Sequence, residues 1–165
     1  MAETFRSVPQ MFLHRVEKTP DREAFLFPEG AGWTPLTWRQ VGEKVKAIAC
    51  GLRALGLGDE ERASILSATR LDWILADLGI LAAGGATTTI YPSSTPDDIV
   101  YILADSESVI CYAETEDHVQ KILARRADQP RKERILAVMR DPQMRLRLGK
   151  RHRLGRRFDG SIKRH

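Results

Sequence analysis

The alternation of short β-branched runs with capped amphipathic stretches is what most narrows the fold of this chain. From Arg62 onward the short apolar runs are Arg62 to Leu66, Thr87 to Tyr91, Ser108 to Tyr112 and Arg134 to Val138. Between them stand three helical patterns: about Arg70 to Ala83, one opened by Ser94-Thr95-Pro96-Asp97-Asp98, and one opened by Thr115-Glu116-Asp117. Strands separated by a helix do not form hairpins. They align parallel, with the helices covering the sheet. The spacing therefore predicts an α/β fold with a parallel sheet and flanking helices.

The punctuation between these elements has physical causes. A hydroxyl at the N-cap, proline at the first helical position and two carboxylates near the positive end of the helix dipole mark the start at Thr95. Its apolar face is Ile99, Ile102 and Leu103, and that of the next helix is Val119, Ile122 and Leu123. Gly84-Gly85 stops the helix before Thr87, and Pro92 ends the strand after Tyr91.

Upstream, Ser7-Val8-Pro9-Gln10 has capping-box spacing and opens a helix with Val8, Met11, Phe12 and Val16 on one stripe, ended by Thr19-Pro20-Asp21. Ala24 to Phe27 and Trp33 to Leu36 flank Pro28 to Gly32 in a hairpin pattern with a loose turn. Thr37-Trp38-Arg39-Gln40 opens a longer helix whose stripe is Val41, Val45, Ile48, Ala49, Leu52 and Leu55. Gly56 stands where a left-handed C-terminal cap is wanted.

Composition excludes some classes. With 42% hydrophobic residues the chain has enough apolar surface for a core. Its longest apolar candidate, Leu71 to Ala83, carries Asp72 and Asp77 and is too short to span a bilayer. The N-terminus lacks the basic and apolar regions of a secretory signal. Cys50 and Cys111, both in apolar segments, read as reduced core residues, which fits a cytoplasmic location.

Charge divides the chain in two. Residues 1–124 hold 11 basic and 18 acidic side chains, whereas residues 125–165 hold 15 and 4, within an overall charge of +4. After Met139 the apolar period stops. Residues 1–138 are expected to form the folded body, and 139–165 a basic, disordered tail.

Local candidates for chemistry have plainer explanations. Gly84-Gly85 with Thr87, Thr88 and Thr89 lacks the lysine of a phosphate cradle and reads as a helix cap followed by a strand. At Ser93-Ser94-Thr95-Pro96, Asp97 and Asp98 already supply the negative charge that an anion would bring to a helix N-terminus. His14, His118, His152 and His165 have no metal-ligand spacing and read as surface residues. Asp72 and Asp77 lie five apart on a helix, off a common face, and read as solvent or cap residues. Trp33, Trp38 and Trp73 read as packing aromatics. No catalytic, cofactor-binding or metal-binding residue is assigned.

The residues from Thr37 onward resemble the adenylate-forming ligases. The threonine-aromatic start at Thr37-Trp38 and the end at Leu52-Arg53-Ala54-Leu55-Gly56 are similar to that family. So are Gly58-Asp59 with Ala63-Ser64-Ile65, and Arg70-Leu71-Asp72-Trp73 with Ala76-Asp77-Leu78-Gly79-Ile80. Ala83 to Pro96, centred on Ile90-Tyr91-Pro92-Ser93-Ser94, resembles the corresponding segment of long-chain fatty-acid–CoA ligases, and Tyr101 to Glu107 follows in order. The similarity covers roughly Phe5 to Val138. It implies part of the N-terminal, AMP-binding domain of the ligase fold. The family's reaction joins a fatty acid to coenzyme A with ATP and Mg, through an acyl-adenylate. Its serine/threonine/glycine-rich phosphate loop with lysine has no match in these 165 residues, nor has its C-terminal lysine. The resemblance therefore implies a truncated ligase, inactive alone and binding none of those cofactors.

The tail admits two accounts. Patternless, arginine-heavy sequence that starts abruptly after a family match fits out-of-frame translation of GC-rich DNA. The rival is a non-catalytic interaction protein whose basic arm, Arg145 to Arg157, neutralises phosphates of nucleic acid or anionic membrane. No aromatic ladder or zinc spacing supports a specific nucleic-acid partner.

Overall fold

The computed structural model describes residues 4–125, 134–137 and 145–147. The elements in order are α1 (Val8–Lys18), β1 (Glu23–Glu29), β2 (Gly32–Thr37), α2 (Trp38–Ala54), β3 (Arg62–Leu66), α3 (Leu71–Ala82), β4 (Ala86–Ile90), α4 (Pro96–Asp105), β5 (Ile110–Ala113), α5 (Glu116–Ala124), β6 (Arg134–Ala137) and β7 (Arg145–Arg147). The five-stranded sheet has the order β4-β3-β5-β6-β7, with β3 to β6 parallel and β7 antiparallel to β6.

The parallel sheet is packed on both faces. Ala63, Ile65, Ile110 and Tyr112 meet Leu52 of α2 and Ala76 and Ile80 of α3 on one face. Leu66, Ile90, Cys111 and Ala113 meet Ile99 and Leu103 of α4 and Val119 and Ile122 of α5 on the other. That double covering is why β3 and β5 carry nearly unbroken runs of buried residues, where a one-sided sheet would alternate. A third layer packs outside α2 and α3: Phe12 of α1, Leu36 of β2, and Val41, Val45 and Leu75.

Helix starts follow their local signals. Thr37 accepts from the Gln40 N–H at 3.3 Å, while the Gln40 side chain accepts from the Thr37 N–H at 2.9 Å. Thr95 and Asp98 close the same reciprocal box on α4. At α1 the box is shifted. Ser7 caps the Gln10 N–H, but the Gln10 side chain takes the N–H of Arg6. Gly56 holds φ +88, the left-handed geometry expected past the end of α2.

Several expectations are corrected by packing. Val8 and Met11 are half-exposed, because Phe12 and Val16 are what α1 turns inward. Trp33 is 69% exposed: it lies opposite Pro28 on the outer hairpin face, while Leu36 faces the core. The hairpin turn is tight, with Glu29 paired to Gly32 across Gly30-Ala31. Cys50 is exposed, one position past Ala49 on the α2 stripe, whereas Cys111 is buried as expected. His118 is buried, for reasons given below. Trp38 and Trp73 do pack, Trp38 against Phe12, Phe25 and the Arg15 guanidinium.

Of the tail expected to lack order, Arg145–Arg147 is the described part. It is a short edge strand, and Arg145-Leu146-Arg147 has the two-residue alternation that a strand permits. The remainder of 139–165, with His152 and His165, lies outside the described residues. Among the described residues no helix is long and apolar enough to cross a membrane.

Candidate functional site

Strand order reverses at β3. The chain leaves β3 through α3 toward β4 on one side, and leaves β5 through α5 toward β6 on the other. Open α/β sheets bind ligands in the crevice at such a switch point, outside the carboxyl ends of the strands. Here those ends are Leu66 and Ala113, paired in register. The crevice walls are the loop Ser67-Ala68-Thr69-Arg70 and the pair Glu114-Thr115.

Glu114 fills that crevice. Its N–H donates to the Leu66 carbonyl at 3.1 Å, which carries the ladder one step past β5 and aims the side chain at the facing loop. The Ala68 N–H donates to Glu114 Oε2 at 2.9 Å, and Ser67 Oγ lies 3.3 Å from the same oxygen. Arg70 Nη1 donates to Glu114 Oε1 at 3.2 Å, while Arg70 Nη2 holds Asp72 Oδ2 at 2.7 Å. The Glu114 side chain is 11% exposed. Burial pushes its pKa up. The hydrogen bonds from Ala68, Arg70 and Ser67, with the Arg70 charge, outweigh that and leave it below the ordinary glutamate value.

The sign of the resulting pH dependence follows. A folded-state pKa below the unfolded one contributes stability that is present above the unfolded value and lost as pH falls through the folded value. The thermal midpoint of the chain is expected to drop on acidification below the ordinary glutamate range. Glu114→Gln should flatten that part of the profile, and thermal unfolding of both proteins across acidic pH checks it. Parallel profiles would place the acid sensitivity elsewhere.

Helix α5 begins beside this cluster. Thr115 Oγ1 accepts from the His118 N–H at 3.2 Å, and Glu116 and Asp117 occupy the first turn. His118 lies one turn before Ile122, on the face α5 presses against the sheet, which is why it is buried. Its Nδ1 has no hydrogen-bond partner among the described residues.

The arrangement does not suit a nucleotide phosphate. The Ala68 N–H and the Arg70 guanidinium, which a phosphate would use, are engaged by Glu114, and Glu116 and Asp117 add negative charge nearby. Neither other sequence candidate makes a site. Gly84 and Gly85 end α3 ahead of β4, and Asp98 accepts from both the N–H and the hydroxyl of Thr95, at 3.2 and 2.6 Å. Asp72 and Asp77 are not brought together: Asp72 pairs with Arg70 in the first turn of α3. Among the described residues no group of three or more His, Cys, Asp or Glu could hold a metal. Sequence reasoning missed Glu114, because its partners lie 44 to 47 positions upstream and no local pattern joins them.

Comparison with known proteins supplies what this geometry does not. A family model described as AMP-binding enzyme matches residues 12–153. The chain is 34% identical over 106 residues to a long-chain-fatty-acid–CoA ligase, FadD15 of Mycobacterium bovis, covering 64% of this chain and 18% of the relative. It is 36% identical over 108 residues to bacitracin synthase 1 of Bacillus licheniformis, covering 65% of this chain and 2% of that protein. Among solved structures, a fatty acyl-adenylate ligase from L. pneumophila, in complex with acyl adenylate and pyrophosphate, superposes with a TM-score of 0.63 at 29% identity. That match covers 72% of this chain and 21% of the ligase. The chain thus spans about a fifth of the length of the ligases it matches.

Proposed function

This chain belongs to the AMP-binding enzyme family, and from that premise we propose that it is the opening segment of a ligase that joins long-chain fatty acids to coenzyme A at the expense of ATP. The observation that carries the substrate class is the segment Ala83 to Pro96. There the end of α3, the strand β4 and the capped start of α4 follow one another around Ile90-Tyr91-Pro92-Ser93-Ser94, the stretch that resembles long-chain ligases.

Taken alone, the 165 residues do not adenylate. Formation of an acyl-adenylate builds negative charge on phosphate oxygens and needs donors fixed around them. The anion-directed donors at the switch point are already satisfied by Glu114.

The test compares two proteins in fatty-acid-dependent ATP–pyrophosphate exchange. One is the 165-residue chain. The other is a long-chain ligase, such as the M. bovis relative, in which residues 5–124 of this chain replace the matching segment. The chimera is expected to exchange with long-chain fatty acids, and the short chain to give no signal above a mock preparation. Heat-sensitive turnover by the short chain would overturn its inactivity. A folded chimera that exchanges with amino acids but not fatty acids would overturn the substrate class.

A further inference from the structure

The donors around Glu114 have the composition of a ligand site. A main-chain N–H addresses Oε2 and a guanidinium addresses Oε1, while the Ser67 hydroxyl lies 3.3 Å from Oε2 and shares its proton with the Ala68 carbonyl at 2.9 Å. Charge-assisted contacts of this kind, to both oxygens of a carboxylate, are what proteins use to hold a carboxylate ligand. The set stands at the topological switch point, where open α/β sheets take ligands. The carboxylate it holds comes from just past the end of β5, 44 to 47 positions away, and is no local helix cap.

We propose that the Ser67–Arg70 loop forms a carboxylate-binding site which the chain fills with its own Glu114, and which accepts a small free carboxylate once that side chain is removed. Asp72 keeps its hold on Arg70 Nη2 in either case, so the guanidinium stays aimed at the crevice when Glu114 is gone. The Ala68 N–H is fixed by the turn between β3 and α3 and likewise remains. In the intact chain the filled site ties the β3–α3 loop to the end of β5 and closes the crevice to anions from solution.

The experiment is thermal unfolding of the full chain in sodium formate against sodium chloride at matched ionic strength. The proteins are wild type, E114A and the double variant R70A/E114A. In chloride E114A is expected to melt at least about 4 °C below wild type. Formate should restore more than half of that loss in a saturable way, because a ligand that binds only the folded state stabilises it by mass action. Wild type and the double variant should respond alike to the two salts. A formate effect on E114A no larger than on wild type, or equally large on R70A/E114A, overturns the proposal. Should E114A be unfolded in chloride, a cooperative transition gained in formate supports the site, and a chain that stays unfolded in formate overturns it.

Discussion

Gly79→Val is expected to destabilise the chain by about 3 kcal/mol or more, a large fraction of the stability of a domain this size. Gly79 lies where α3 crosses α2. A Cβ built there overlaps Ile48 Cγ2 and sits 2.9 Å from Ile48 Cβ, with the Ala49 nitrogen at 3.8 Å. Ile48 Cβ is fixed to the α2 backbone, so no rotamer change relieves the contact and the two helices must separate. Separation opens the core shared by Leu52, Ala76 and Ile80. The better helix propensity of a residue with a side chain, worth up to about 1 kcal/mol, does not offset this. Gly51 gives the control, since a Cβ there meets nothing within 4 Å. Gly51→Ala should stabilise by about 0.5–1 kcal/mol. Urea unfolding of the three proteins reads both effects. Equal midpoints for Gly79→Val and wild type would mean that α2 and α3 do not pack as described.

Ile99→Ala is expected to lose about 2–5 kcal/mol. Ile99 is fully buried on the opposite face, where α4 meets Leu66, Ile90 and Cys111. Removing its outer atoms leaves a void lined by β-strand side chains that the sheet hydrogen bonds hold in place, so the site collapses poorly. Tyr101, two residues on and 68% exposed, is the matched control. Tyr101→Ala should change stability by less than about 0.5 kcal/mol. Denaturant midpoints decide it. A loss at Tyr101 as large as at Ile99 would show that α4 faces the sheet differently.

These two sites mark where reasoning from sequence succeeded and where it stopped. Ile99 was legible, because a cap at Thr95 and the spacing of Ile99, Ile102 and Leu103 set the helix and its apolar side within one turn. The same holds for the Thr37–Gln40 box, the left-handed Gly56 just past the end of α2, and β3, whose bounds match the expected Arg62 to Leu66. Gly79 was not legible as a crossing point. In sequence it is one small residue inside an apolar helix, and only the approach of Ile48, 31 positions earlier, gives it a role.

The candidate site divides along the same line. Arg70 looks like an ordinary polar residue at the start of a helix, and Glu114 like one just past the end of a strand. Their meeting requires β5 to insert beside β3 rather than beside β4, a choice made by the whole sheet. The buried hydroxyl pair Ser64–Ser108, 2.6 Å apart, depends on the same insertion. Exposure behaved likewise. Trp33 and Cys50 are exposed and His118 is buried, each against its expected place, since a residue's own character does not say which side of its element a neighbour will cover. Most elements, the caps at Thr37 and Thr95 and the family can be read along the chain, because those rest on interactions between residues a few positions apart and on the order of segments. The strand order, the closed crevice around Glu114 and the helix crossing at Gly79 cannot be read that way, because each needs groups tens of residues apart to meet, and that contact exists only once the layers have packed.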